Sequence, residues 1–96
     1  MAIYLLLDNT VHDPKKYAEY MKAVPALVAK HGGEYLVRGG KFEVLTGNWK
    51  PNRIVLFKWP SRETLNAFAS DPEYQPWKKL RESVTTTNNR LLIEGV

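Results

Sequence analysis

The sequence predicts an α+β fold built as a single domain. Short apolar runs with strand character alternate with amphipathic helical stretches, and glycine, proline and asparagine separate them. The chain has 96 residues, within the range of about 50 to 250 that one domain usually spans, so we expect residues 1–96 to form one domain. Hydrophobic residues at 44% and charged residues at 25% are typical of a folded globular protein and exclude a disordered chain.

The first part of the chain is predicted to form a strand and then a helix. Residues 2–8 carry apolar side chains on both faces, which is typical of a central strand. Asp13 and Pro14 then supply a capping oxygen and a preset first helical φ angle. The helix is expected to run to His31, and Pro25 is expected to kink or loosen it. Its apolar residues recur every three or four positions and form the stripe that packs on the sheet: Tyr17, Tyr20, Met21, Val24, Leu27, Val28 and His31.

The middle of the chain is predicted to hold a hairpin and a central strand. Gly32–Gly33 ends the helix. Residues 34–38 and 42–46 are expected to pair as strands around Gly39–Gly40, which is a hairpin signal. Residues 53–59 form the strongest predicted strand, because apolar residues follow one another there without interruption.

The last part is predicted to contain two helical segments and a strand. Ser61 is an N-cap residue for the first segment, and Asp71–Pro72 repeats the capping signature and is expected to open the second. A polar stretch at residues 85–89 precedes the last strand, residues 90–95. The simplest closed arrangement of these elements is a ferredoxin-like βαββαβ sandwich with an extra hairpin.

Alternating positions along the strands predict two different sheet faces. The set without any charge is assigned to the face that the helices cover: Ile3, Leu5, Leu7, Tyr35, Val37, Val55, Phe57, Trp59, Leu91 and Ile93. The other set has an apolar centre and charges at the strand ends: Tyr4, Leu6, Asp8, Glu34, Leu36, Arg38, Ile54, Leu56, Lys58, Arg90, Leu92 and Glu94. Because the few helices can cover only one face, we expect a second copy to cover the other in a two-fold homodimer.

The charge pattern argues against a nucleic-acid partner. The net charge is +4, from 14 Lys and Arg against 10 Asp and Glu, but the basic residues are scattered over the predicted helices with acidic residues among them. No stretch approaches the roughly 20 apolar residues of a membrane helix. We therefore expect neither nucleic acid nor membrane as a partner.

The absence of cysteine excludes disulfides, thiolate metal sites and cysteine nucleophiles, and it fits a cytoplasmic location. The histidines and carboxylates show no recognised metal-ligand spacing, so no metal site is expected. No phosphate-binding loop, nucleophile elbow or dinucleotide fingerprint is present, and no cofactor is expected.

Several segments together carry a family resemblance. They are His31–Lys41 (HGGEYLVRGGK), Glu43–Trp49 (EVLTGNW), Arg53–Leu56, Pro60–Ser61, Asp71–Pro76 (DPEYQP), Leu80–Arg81 and Glu94–Gly95. In this order they resemble the domain-of-unknown-function 1330 family over nearly the whole chain. The resemblance implies a dimeric α+β barrel, in which two ferredoxin-like sheets pack face to face. It implies no established activity, although relatives of the same fold include cofactor-free monooxygenases, muconolactone isomerase and haem enzymes. The sequence departs from the family pattern at Lys58–Trp59, where an acidic residue and Phe are common, and at Ala69, where an aromatic residue is common.

His31 is the candidate for proton transfer, because it lies on the buried stripe and its side chain titrates near neutral pH. Its alternative role is to cap the C-terminal carbonyl groups of its helix. Arg38 and Arg53 lie at strand ends, where a guanidinium group could clamp a carboxylate, or could instead pair with Asp8 or Glu94 of a second copy.

Tyr74, Trp77 and Arg81 fall on one side of a helix and could roof an aromatic pocket beside Trp49 and Trp59, or could belong to the core. The sequence therefore predicts a protein that binds or transforms a small organic acid in a pocket between sheet and helices. A non-catalytic dimeric module, structural or regulatory, is the alternative.

Overall fold

The computed structural model describes residues 1–96 and shows one antiparallel sheet with three helices. The elements, in chain order, are β1 (Ile3–Val11), α1 (Pro14–Lys30), β2 (Glu34–Arg38), β3 (Arg53–Trp59), α2 (Arg62–Ser70), α3 (Gln75–Val84) and β4 (Thr85–Glu94). The strand order is β2-β3-β1-β4, so β1 and β3 are central, as predicted. The α+β, ferredoxin-like class is confirmed. None of the three helices combines the length and apolar character that a membrane-spanning segment requires.

Side-chain caps fix where α1 and α2 begin. The Asp13 carboxylate accepts a hydrogen bond from the backbone N–H of Lys16 at 3.2 Å, which satisfies one free donor of the first turn of α1. Ser61 and Thr64 form a reciprocal capping box at the start of α2. Both helix starts agree with the sequence prediction.

The start of α3 differs from the prediction. Asp71 does not cap this helix, because it ends α2, and its carboxylate accepts from the backbone N–H of Glu73 at 2.9 Å within a turn. The helix begins at Gln75, with Pro76 in its first turn, where the missing N–H of proline has no helical partner to lose.

Two strand predictions are wrong. Residues 42–46 form no strand and belong to an exposed irregular segment between β2 and β3. The last strand begins at Thr85 instead of residue 90, because Thr85 pairs with Val11 at the far end of β1. Thr85 itself is buried, and residues 86–89 continue an edge strand in which their side chains remain in contact with water.

The faces predicted for β4 are also wrong. Directly paired residues on neighbouring strands point to the same face, and Leu92 pairs with Leu5, which is buried under the helices. The two sets of β4 residues therefore exchange faces. Arg90, Leu92 and Glu94 lie on the helix side, and Leu91 and Ile93 lie on the opposite side.

A bulge changes the faces in β2. The register shifts between Tyr35 and Val37, so that Leu36 is an extra residue in the strand. Arg38 consequently pairs with Val55, a buried residue on the helix side. The prediction is wrong for the two residues after the bulge, because Val37 faces away from the helices and Arg38 faces towards them.

The hydrophobic core lies between the helices and one face of the sheet. Its buried cluster of 14 residues joins alternate residues of β1 and β3 to residues of all three helices. Trp59 is fully buried at the centre of an aromatic group, with ring centroids 5.2 Å from Phe68 and 6.1 Å from Phe57.

The opposite side of the sheet, here called the open face, carries no helix. Its apolar residues are Tyr4, Leu6, Val37, Ile54, Leu56, Leu91 and Ile93. Leu91 is 51% exposed and Ile93 is 45% exposed. A contiguous apolar surface of this kind is unusual on a monomeric protein.

Candidate functional site

A cavity of about 360 Å³ lies between the sheet and helices α2 and α3, and it is here called the sheet–helix cavity. Most of its wall is apolar and comes from β1, β3 and α2. The residues of this wall are Leu5, Leu7, Phe57, Leu65, Phe68 and Ala69. Every second side chain of β1 and β3 points towards the helices. Leu65 and Phe68 are three positions apart and lie on one face of α2.

Two tyrosine hydroxyl groups contribute to the polar part of the wall. The hydroxyl oxygens of Tyr20 and Tyr74 are 2.8 Å apart and hydrogen-bonded, and both residues line the cavity. Burial, together with the nearby Tyr74, raises the pKa of Tyr20, so its hydroxyl group stays protonated at neutral pH. One proton is used within the pair, and the other hydroxyl group is left free to donate to a bound molecule.

Four charged residues and Thr87 complete the lining. The charged residues are the cations Lys78, Arg81 and Arg90 and the carboxylate Glu82. None of the three cations forms a salt bridge within the chain. Burial opposes the charge of Arg81, but Tyr74, Tyr20 and the carboxylate of Glu82 together more than offset it and raise the pKa of Arg81. The cavity therefore combines an apolar wall with unpaired positive charge, which suits a small organic anion.

The structure brings together two of the five residues predicted to bind a ligand. Tyr74 and Arg81 line the sheet–helix cavity. Trp59 is fully buried in the core and does not line it. Arg38 and Arg53 lie at a separate groove beside α1.

Sequence reasoning missed Lys78 and Arg90 as lining residues. Arg90 was assigned to the wrong face, because Leu91 and Leu92 are both apolar and alternation alone does not show which of them turns to the helices. Lys78 lies about one helical turn after Tyr74 and one turn before Arg81, so the three residues share one side of the helix. This spacing could have identified Lys78 as a lining residue.

His31 lies outside the cavity, at the end of α1. Its Nε2 atom is 2.8 Å from Oδ2 of Asp71, and its ring packs edge-on against Phe68 with centroids 6.2 Å apart. The hydrogen bond from His31 is the main cause that lowers the pKa of Asp71 to about 2. The backbone N–H of Glu73 and the ammonium group of Lys30 lower it further. Asp71 is therefore ionised at neutral pH and accepts from His31, and this pair ties the end of α1 to the end of α2.

Trp49 has a defined contact although its segment is irregular. Its indole N–H donates to the buried Asp8 carboxylate at 3.2 Å, and the backbone N–H of Asn52 donates to the same group at 2.8 Å. Asn89 of β4 adds a third hydrogen bond at 3.2 Å. Burial raises the pKa of Asp8, but these hydrogen bonds outweigh burial and leave it lowered. Asp8 thus anchors the segment between β2 and β3 to the sheet.

Comparisons with known proteins identify the family and support the fold. The family model called Domain of unknown function (DUF1330) matches residues 2–96. Among curated proteins, none matches this chain.

Three solved structures illustrate the likeness. A protein of unknown function from Rhodopseudomonas palustris has a TM-score of 0.79 at 15% identity, covering 99% of this chain and 82% of its own. SnoaB, a cofactor-independent oxygenase from Streptomyces nogalater, has a TM-score of 0.69 at 16% identity, covering 99% of this chain and 93% of its own. A dimeric ferredoxin-like protein of unknown function from Thermobifida fusca has a TM-score of 0.61 at 15% identity, covering 97% of this chain and 88% of its own. At these identities the likeness establishes the fold alone.

Proposed function

Because the chain belongs to the family Domain of unknown function (DUF1330), whose name assigns no activity, we propose a function from the chain's own residues. The protein binds a small organic acid in the sheet–helix cavity. The observation that carries this proposal is the set of three cations without salt-bridge partners beside an apolar wall. A carboxylate would meet Arg81 and Arg90, and the apolar part of the ligand would lie against Phe57 and Phe68.

The tyrosine pair adds a polar contact to this assignment. Tyr20 and Tyr74 together leave one hydroxyl proton free at the cavity wall. That proton would recognise an oxygen acceptor on the ligand, either a second carboxylate oxygen or a ring substituent. These contacts support binding of an organic acid.

The direct test measures the melting temperature with benzoate and with its uncharged analogue benzamide. Benzoate at about 100 times its Kd should stabilise the protein by about 2.7 kcal/mol, whereas benzamide should have little effect. Arg81→Gln and Arg90→Gln should reduce the benzoate shift. Arg62→Gln removes the same charge from the exposed surface of α2 and should leave the shift intact. Equal shifts with benzoate and benzamide, or no shift with either, would overturn the proposal and favour a non-catalytic module.

We also propose that the open face is covered by the same face of a second copy. The apolar side chains of this face need a cover, and a self-complementary two-fold contact provides one without a second gene product. The Thermobifida fusca protein of the same fold is dimeric, which supports the association of two copies. A stable interface buries about 800 Å² on each partner.

The oligomeric state can be measured by native mass spectrometry and sedimentation at micromolar concentration. The unmodified chain should be a dimer, and Leu91→Glu, which places a charge on the open face, should be a monomer. Ala67→Glu adds the same charge on the exposed side of α2 and should stay dimeric. A monomeric unmodified chain would refute the interface.

A further inference from the structure

We propose that the chain has a second anion-binding site, in a groove between α1 and the adjoining ends of β2 and β3, which takes a carboxylate or phosphate group carried on a small apolar body. The groove has a volume of about 480 Å³ and shares no lining residue with the sheet–helix cavity. The lining residues that matter are Val11, Tyr17, Met21, Lys22, Arg38 and Arg53. It is here called the arginine groove.

Arg53 is held in position before any ligand binds. Its Nη1 atom donates to the Tyr17 hydroxyl oxygen at 3.1 Å, and its guanidinium carbon lies 5.1 Å from the centre of the Tyr17 ring. Gly39 leaves the room that this placement needs, because a Cβ atom there would be 2.7 Å from Nε of Arg53. Gly39 also has a φ angle of +72°, which side chains rarely adopt. A guanidinium group fixed in this way loses little side-chain freedom when it binds a ligand.

The bulge in β2 brings a second guanidinium group to the same groove. It turns Arg38 to the helix side of the sheet, where its guanidinium carbon lies 5.1 Å from the centre of the Tyr35 ring. Neither Arg38 nor Arg53 forms a salt bridge within the chain. Without the bulge, Arg38 would lie on the open face and the groove would lose one of its two guanidinium groups.

The polar side chains of the groove all offer donors. Tyr17 accepts a hydrogen bond from Arg53 and donates none to the protein, and burial raises its pKa, so it keeps its proton. Lys22, Arg38 and Arg53 are cations, and no carboxylate lines the groove. A site with donors and positive charge alone selects an oxyanion, and Val11 and Met21 provide the contact for its apolar part.

Nuclear magnetic resonance on the isotopically labelled full chain can follow both sites at once. The probes are benzoate, phenyl phosphate and uncharged benzamide. The Nε–H signal of Arg53 and the backbone amide of Gly39 report on the arginine groove, while the amides of Phe68 and Arg81 report on the sheet–helix cavity. The two sets of signals keep the two proposals separate, so that either one can fail without the other.

We expect a saturable shift of the groove signals with at least one of the two anions and none with benzamide. Saturation by benzoate identifies a carboxylate site, and saturation by phenyl phosphate alone identifies a phosphate site. Arg53→Gln should weaken that binding by roughly tenfold or more, since a hydrogen bond to a charged group is lost. Arg53→Lys should also weaken it, because lysine lacks the planar fork.

A matched variant controls for charge alone. Arg62→Gln removes one positive charge from the exposed surface of α2 and should leave the groove affinity unchanged. Lys22→Gln changes an exposed lining residue and should weaken binding even if the Arg53 variants fail to fold. The proposal is overturned if neither anion gives a saturable shift, or if the affinity in folded Arg53→Gln or Lys22→Gln equals that of the unmodified chain.

Discussion

Replacing Gly33 by alanine should destabilise the fold, because the new Cβ atom would have no space. It would lie 2.7 Å from two ring carbons of Trp59 and 2.8 Å from Cγ1 of Val28. Trp59 is 0% exposed and Val28 is 1% exposed, so neither side chain can move outwards to relieve the contact. Trp59 also packs against Phe68, which lines the sheet–helix cavity, so a displaced indole would disturb the cavity wall.

The size of the effect follows from two opposing contributions. Overpacking a close-packed core costs about 1–3 kcal/mol, and the lower entropy of the unfolded chain on replacing glycine by alanine returns about 0.4–1 kcal/mol. Contacts as short as those at Gly33 place the cost near the upper end, so we expect a net loss of roughly 2 kcal/mol in the free energy of unfolding. For a domain of this size that loss lowers the melting temperature by roughly 8–16 °C.

The measurement is urea unfolding followed by circular dichroism at one fixed protein concentration, since assembly would otherwise shift the midpoints. Gly40→Ala is the matched control, because a Cβ atom at Gly40 would meet nothing within 4 Å. This control should be as stable as the unmodified chain or slightly more stable. If Gly33→Ala and Gly40→Ala unfold at the same urea concentration, the packing argument around Trp59 is wrong.

Two further predictions concern buried carboxylates. Asp71 has its pKa lowered to about 2, mainly by His31, so its contribution to stability is complete above its ordinary pKa of 3.8 and is lost as the pH falls towards 2. The difference in urea midpoint between the unmodified chain and Asp71→Asn should therefore shrink between pH 4 and pH 2, and a constant difference would contradict the assignment. Asp8→Asn should loosen the segment that Asp8 anchors, so the Asn52 amide proton should exchange with solvent faster while that of Val55 is unchanged. Unaltered protection at Asn52 would show that the segment is held by something else.

Sequence patterns predicted the elements with local signals well. The central strand 53–59 and the starts of α1 and α2 follow from uninterrupted apolar residues and from the caps Asp13 and Ser61, which act within a few residues of themselves. The prediction of where β4 begins was wrong for the opposite reason. Thr85 becomes part of a strand because it pairs with Val11, and the polar sequence around Thr85 does not indicate this pairing.

The candidate site was predictable only in part, because the register of strand pairing decides which side chains reach the cavity. Tyr74 and Arg81 share a helix face, so their spacing alone placed them together. Arg90 reaches the same cavity through the pairing of β4 with β1, and Arg38 reaches the arginine groove through a bulge, neither of which is encoded by alternation within a strand. The residues that line the sheet–helix cavity and the arginine groove therefore depend on strand pairing more than on single sequence motifs.

The extra residue Leu36 in β2 has a consequence for how related chains are compared. Deleting Leu36 would restore strict alternation and keep Arg38 paired with Val55, so Arg38 would stay on the helix side. A relative that is one residue shorter between Gly33 and Arg38 can therefore keep the arginine groove. A relative of the same length whose β2 pairs without a bulge would instead turn Arg38 to the open face, placing a charge in the contact proposed between two copies. The pairing of β2 with β3 thus predicts shared binding properties better than percentage identity does, and relatives that keep Arg38 opposite the residue matching Val55 are the ones to which the arginine groove should extend.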